Sequence, residues 1–135
     1  MGGRGASSGW SYDKNGNRLH KYGTEYKSVL EVDNIKFVKA NSGQTKSPLE
    51  TMTKGRIYVT LDSENEPKYI TMYDDDNKKY LQIDIKGRPH MINGVPKIPH
   101  THLGYFHDEN GTRETTDEED KLIEKVLKAW YHHSR

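Results

Sequence analysis

Apolar and polar positions alternate through the middle of the chain in a way that predicts a series of short β-strands. Residues 35–39 alternate apolar and basic side chains, the pattern of a half-buried strand. Three more segments rich in β-forming residues follow, at 56–61, 68–73 and 79–85. Only short polar runs separate them, so we predict an antiparallel meander. After a loop rich in Pro and Gly, residues 100–106 are expected to return to the sheet as a last strand.

The clearest element is a C-terminal helix, predicted over residues 117–131. Its apolar side chains recur at helical spacing on one face, and they are Leu122, Ile123, Val126, Leu127, Trp130 and Tyr131. Two overlapping capping boxes precede it, Thr115 with Glu118 and Thr116 with Glu119. The predicted fold class is therefore α+β, an antiparallel meander of about four strands packed against a C-terminal helix.

The first residues differ in composition from this body. Residues 1–22 are mainly Gly, Ser, Asn and Lys, and they predict a flexible, disordered N-terminal arm. Residues 23–135 are then expected to form a single α+β domain. No apolar run reaches the length of a membrane span, so we expect no membrane partner. The net charge of +1 argues against strong polyanion binding by the whole surface, although a local basic groove stays open.

The candidate chemistry is a group of histidines. Four of the seven fall close together, namely His90, His100, His102 and His107. His100 and His102 stand two residues apart, so on a strand their side chains would point to the same face. One use of such a pair is metal binding, with Asp84 or Asp108 as a further ligand. The chain has no cysteine, which excludes thiolate ligands and disulfides.

The other use of the pair is metal-free acid–base catalysis. Cleavage of RNA by its own 2′-hydroxyl needs a base, an acid and a cation facing the phosphate oxygens. Arg88 lies in the histidine-rich stretch, and Lys54 and Arg56 come just before the first strand of the meander. These cations are the candidate phosphate contacts. The structural alternative is that histidines and cations alike are ordinary surface residues.

The chain also resembles known proteins over nearly its whole length. The segments that carry the resemblance are residues 1–9, 22–26, 34–39, 50–56, 82–84 and 99–105. They resemble small proteins encoded in prophages of Gram-positive bacteria and the C-terminal domains of phage minor head (head morphogenesis) proteins. Such C-terminal domains in turn look like the barnase/EndoU/colicin/RelE-like ribonuclease group, which combines a helical element with a four-stranded antiparallel sheet and cleaves RNA without metal.

These observations lead to one hypothesis and one alternative. The hypothesis is a phage-associated, toxin-like ribonuclease without metal or cofactor. His100 and His102 would be its acid and base, with His90 as an alternate, and Arg88, Arg56 and Lys54 would bind the substrate. Its expected partners are RNA, phage head proteins and an inhibitor protein, in the cytoplasm or on the virion. The alternative is a non-enzymatic phage structural or binding protein, whose histidines lie on the surface or hold a metal.

Overall fold

The computed structural model describes residues 15, 25–86, 99–105 and 109–133, and the strand backbones at 6–7, 10–12, 18–20, 90–92 and 95–97. In chain order the strands are β1 (Ala6–Ser7), β2 (Trp10–Tyr12), β3 (Arg18–His20), β4 (Tyr26–Val32), β5 (Ile35–Ala40), β6 (Glu50–Thr51), β7 (Ile57–Leu61), β8 (Pro67–Tyr73), β9 (Lys79–Asp84), β10 (His90–Ile92), β11 (Val95–Lys97), β12 (His100–Leu103) and β13 (Thr112–Glu114). The helix α1 (Asp117–His133) follows them.

Seven of these strands form one sheet, in the order β13-β12-β9-β8-β7-β5-β4. The predicted α+β class is confirmed, and so are the meander β7-β8-β9 and the returning strand β12. The sheet differs from the prediction in two ways: it has more strands than four, and β5 and β7 run parallel. A parallel pair cannot be joined by a tight turn, so the chain passes from β5 to β7 through a long crossover, residues 41–56.

The two turns of the meander share one chemistry. Each begins with an aspartate, Asp62 or Asp74, whose carboxylate accepts backbone N–H groups two and four residues further on. Each also contains an asparagine with positive φ, Asn65 at 61° and Asn77 at 64°. Asparagine tolerates this left-handed conformation better than most residues, which makes the polar runs compatible with sharp reversals of the chain.

The sheet has two different faces. The helix face carries the main apolar core, in which Ile70, Ile83 and Phe37 lie buried beneath Val126 and Trp130 of α1. The rings of Phe37 and Trp130 stack with centroids 5.2 Å apart. Burial of each such side chain stabilises the fold by about 1.5–3 kcal/mol, so this face holds α1 against the sheet.

The opposite face, here called the crossover face, is polar and aromatic and is covered by residues 41–56. The hydroxyl of Tyr26 donates to the carbonyl of Lys46, and that of Tyr73 donates to the carbonyl of Pro48. Tyr58 bonds to Thr51 through their hydroxyl groups, which lie 3.0 Å apart. The crossover therefore gives buried hydroxyl groups the partners that an apolar cover could not supply.

The N-terminus of α1 is fixed by the second of the two predicted capping boxes. The Thr116 hydroxyl accepts the Glu119 backbone N–H, and the Glu119 carboxylate accepts the Thr116 backbone N–H. The same carboxylate accepts hydrogen bonds from Thr101 on β12 and from both terminal guanidinium nitrogens of Arg113 on β13. Glu119 thus ties the start of the helix to the two strands at one edge of the sheet.

The residues of the predicted arm fall largely outside the described part of the chain, so the flexible arm and the domain boundary at residue 23 stay predictions. The described pieces are strands: β1 pairs with β6, and β2 pairs with β3.

The described helix, α1, lacks the length and the apolar character needed to cross a lipid bilayer.

We expect Glu119→Gln to lower the free energy of unfolding by about 1–3 kcal/mol at neutral pH, because it removes a partly buried ion pair and part of the cap. Burial alone would raise the pKa of Glu119, but the bonds from Arg113, Thr101 and Thr116 outweigh it and hold the pKa below its ordinary value. A depressed pKa stabilises the folded state above the pKa of the unfolded carboxyl and loses this effect as the pH falls.

The difference between wild type and Glu119→Gln should therefore shrink in urea unfolding experiments as the pH is lowered below the ordinary range of a glutamate. The control is Glu118→Gln, a neighbouring exposed position, which should change stability little. An equal loss for Glu119→Gln at neutral and at acid pH would contradict the charge-based account.

Candidate functional site

Two neighbouring strands bring one carboxylate and two imidazoles together on the crossover face. In the antiparallel pair of β9 and β12, His100 lies opposite Asp84 and His102 lies opposite Gln82. Side chains two residues apart on a strand share a face, so the register places all four on the same side of the sheet. This confirms the predicted same-face arrangement of His100 and His102.

Three polar atoms of this group are in mutual contact. Oδ2 of Asp84 lies 3.2 Å from Nε2 of His100 and 3.2 Å from Nε2 of His102, and the two Nε2 atoms are 3.1 Å apart. The imidazole rings stand at 90° to each other. Both histidines are buried, with 2% and 3% of their surface exposed, whereas the Asp84 side chain is 14% exposed. We call these three residues the Asp84 triad.

Residues around the triad fix its orientation. The Thr112 hydroxyl on β13 lies 2.8 Å from Nδ1 of His102. On β9 the Gln82 amide donates to Oδ1 of Asp84 at 2.8 Å. The Gln82 oxygen in turn accepts hydrogen bonds from Lys79 at 3.0 Å and from the Ser47 hydroxyl. These contacts engage Oδ1 of Asp84 and Nδ1 of His102, while Oδ2 of Asp84 and the two Nε2 atoms face one another.

The electrostatics of the site depend on burial and on these partners. Burial alone would raise the pKa of Asp84, but the hydrogen bonds from His102 and Gln82 outweigh it, so its pKa lies below the ordinary value and the carboxylate stays ionised. Burial also lowers the pKa of Lys79, and the negative charge of Asp84 partly opposes this shift. The site therefore holds a partly exposed anion, Asp84, and a buried cation, Lys79, linked through the neutral amide of Gln82.

Arg88 and the other histidine and aspartate residues predicted for the site lie wholly or in part outside the described part of the chain. His90 is on β10, which pairs only with β11 among the described strands, and its side chain is outside the described part of the chain. Arg88, His107 and Asp108 are also outside the described residues. The roles suggested for them stay predictions.

The two remaining candidate cations are engaged away from the triad. Arg56 forms an ion pair with Glu31 at 3.0 Å, and Lys54 donates to the backbone carbonyl of Asp75. Arg56 immediately precedes β7, and three strand spacings of about 4.8 Å each separate β7 from the histidine strand β12. The structure thus brings His100 and His102 together with Asp84, but it does not bring Lys54 or Arg56 to them.

Four residues of the observed site were not predicted from the sequence, namely Gln82, Lys79, Ser47 and Thr112. One signal was present: Gln82 and Asp84 are polar residues two apart within an otherwise apolar strand, so they had to face the same side as each other. The other contacts depend on strand order and on the crossover, which no local pattern reveals.

Comparisons of this chain with protein-family models, with curated proteins and with solved structures found no match.

We expect Thr112→Val to release His102, because the Thr112 hydroxyl contacts Nδ1 of this imidazole. Loss of this bond should lower stability by about 1 kcal/mol and remove the preference of His102 for one tautomer. Long-range ¹H–¹⁵N correlation spectra of the imidazoles would show it. Thr112→Ser, which keeps the hydroxyl, should preserve the wild-type His102 signals, and unchanged His102 signals in Thr112→Val would contradict the assigned contact.

Proposed function

We propose that the Asp84 triad binds a divalent transition-metal ion and that the protein is a metal-dependent hydrolase. The observation that carries this proposal is the mutual separation of the three polar atoms, 3.1–3.2 Å for each pair. Ligand atoms bound to one ion at about 2.0–2.1 Å lie about 3.0 Å apart at octahedral angles and about 3.4 Å apart at tetrahedral angles. The observed separations fall between these two values.

Hydrogen bonds alone satisfy the three polar atoms of the Asp84 triad less well than a bound metal ion does. If both imidazoles donate their Nε2–H to Oδ2 of Asp84, the two N–H groups face each other at 3.1 Å. If one Nε2 is instead an acceptor, its lone pair points at the carboxylate oxygen. A metal ion removes this conflict, because all three atoms then direct lone pairs at one centre.

The ligand types indicate which ions fit. Two imidazoles and one carboxylate suit zinc and the neighbouring first-row metals, whereas magnesium and calcium prefer sites made of oxygen atoms. Three protein ligands leave a coordination position for water, which is the arrangement of catalytic zinc sites. Such an ion lowers the pKa of its bound water and so supplies a nucleophile near neutral pH. Thr112 and Gln82 supply the outer hydrogen bonds that orient the ligands.

This proposal differs from the metal-free ribonuclease predicted from the sequence. The metal-free mechanism keeps one specific observation in its favour, a carboxylate hydrogen-bonded to two imidazoles in contact with each other. We prefer the metal-binding interpretation because both Nε2 atoms are directed at the same carboxylate oxygen and at each other. RNA remains the first substrate to test, as the sequence resemblance suggests. The phage head and inhibitor partners, and a cytoplasmic or virion-associated location, also stay predictions.

We expect the metal-free protein to bind one Zn²⁺ or Co²⁺ per chain at the triad, and Asp84→Ala, His100→Ala and His102→Ala each to weaken binding at least about a hundredfold because a ligand is lost. Calorimetry with Zn²⁺ and the visible absorption of Co²⁺ measure this. His132→Ala combined with His133→Ala is the matched control, since it removes an exposed pair of imidazoles at the end of α1. Zinc affinity unaffected by the triad substitutions would refute the site.

The same variants separate the two mechanisms on labelled RNA. We expect cleavage in the presence of Zn²⁺, its loss in EDTA and its recovery when metal is returned. Cleavage that persists in EDTA and disappears in His100→Ala and His102→Ala would support the metal-free mechanism instead. RNA left intact under both conditions would show that neither nuclease mechanism holds.

A further inference from the structure

A cavity of about 300 Å³ lies beside the Asp84 triad, between the crossover and the sheet. Lys46, Ser47, Tyr69, Lys79 and Gln82 line it. Gln82 donates to Asp84, and Tyr69 on β8 lies directly opposite Asp84 on β9. Two of the residues that line the cavity are therefore direct neighbours of Asp84.

We propose that this cavity binds a phosphate group of the substrate, so that the hydrolase acts on phosphate esters. The inference rests on the proposed function, because it supplies the substrate class for the same centre. Two lysines line the cavity, and none of the described residues that line it is acidic. Cationic side chains at the wall of a cavity attract anions, and a phosphate ester is an anion that a metal-bound water can hydrolyse.

Lys79 is the more buried of the two cations that line the cavity. It is only 6% exposed, and Gln82 accepts one hydrogen bond from its ammonium group. A buried ammonium ion needs a compensating negative charge, and at present the nearby Asp84 provides it in part. A divalent ion bound to Asp84 would neutralise that carboxylate and leave Lys79 without a counter-charge. The metal-loaded site then favours an anion in the cavity.

Two other residues of the lining, Lys46 and Tyr69, can also donate hydrogen bonds to phosphate oxygen atoms. Lys46 is exposed at the same wall and adds a second cation. The Tyr69 hydroxyl, which has no hydrogen-bond partner among the described residues, adds a neutral donor. The volume lies at the lower end of the range for small-molecule sites, enough for a phosphate and the group attached to it. Lys46 and Lys79 would thus have the role predicted from the sequence for Arg88, Arg56 and Lys54.

The test is a titration of the zinc-loaded protein with inorganic phosphate. Calorimetry measures the affinity, and NMR spectra record the shifts of the backbone amide signals of Ser47 and Gln82. We expect Lys79→Met to weaken phosphate binding at least about tenfold and Lys46→Met to weaken it by a smaller factor, as expected for the loss of charge-assisted hydrogen bonds. The matched control Lys54→Met, on the crossover but bonded to Asp75, should bind phosphate as wild type does. Zinc affinity should be unchanged in Lys46→Met and Lys54→Met, and Lys79→Met should keep or strengthen it, because this substitution removes a cation close to Asp84.

The source of the phosphate is distinguished by two further ligands, a nucleoside 5′-monophosphate and a short single-stranded RNA. If the RNA binds more tightly than the monophosphate, and Lys79→Met weakens its binding as it weakens that of phosphate, the cavity binds one phosphate of an RNA strand. Tighter binding of the monophosphate would assign it to a free nucleotide.

Phosphate affinity unchanged in both Lys46→Met and Lys79→Met would overturn the inference, and intact zinc binding in the same variants would leave the metal centre standing. Should Lys79→Met fail to fold, Lys46→Met and Tyr69→Phe carry the test, because both side chains are at least partly exposed. A third outcome is phosphate binding that disappears when zinc is removed but is unchanged by the lysine substitutions. It would show that the metal alone binds the phosphate and would also overturn the inference.

Discussion

The pairing register between β9 and β12 is the constraint on which the site depends. It sets His100 opposite Asp84 and His102 opposite Gln82, so that three potential ligand atoms meet on one face. A slip by one residue would turn both histidines to the helix face and bring Thr101 to the crossover face. Thr101 resists such a slip, because it is buried on the helix face and bonded to Glu119 of the helix cap. The cap of α1 thus contributes to the geometry of a site on the other side of the sheet.

The crossover between β5 and β7 determines what kind of face the site lies on. Because these strands are parallel, the chain must pass over the sheet between them, and residues 41–56 do so without a helix. Their backbone carbonyls accept hydrogen bonds from tyrosine hydroxyls of the sheet. A polar layer can therefore be buried here at low cost, while the apolar core that stabilises the fold is confined to the helix face.

Asp84 and the buried Lys79 carry opposite charges at and beside the triad, and the proposed ligands would compensate both. Asp84 and Lys79 lie on one strand and are joined by the Gln82 amide rather than by a direct ion pair. Buried charges held apart in this way cost stability unless something compensates them. A cation on Asp84 and a phosphate beside Lys79 would compensate both at once. The proposed metal site and the proposed phosphate site would thus balance each other's charge.

The sequence by itself determined the elements whose signals are local: the three strands of the meander, the capped helix with its apolar face, and the placement of His100 and His102 on one side of a strand. Alternation, turn residues and capping boxes act between residues close in the chain, so they can be read there. Only the tertiary structure decided that β5 and β7 are parallel, that Asp84 completes the histidine pair, and that Lys79 rather than Arg56 lies near it. These outcomes depend on strand order and register, which are set by packing between residues far apart in the sequence.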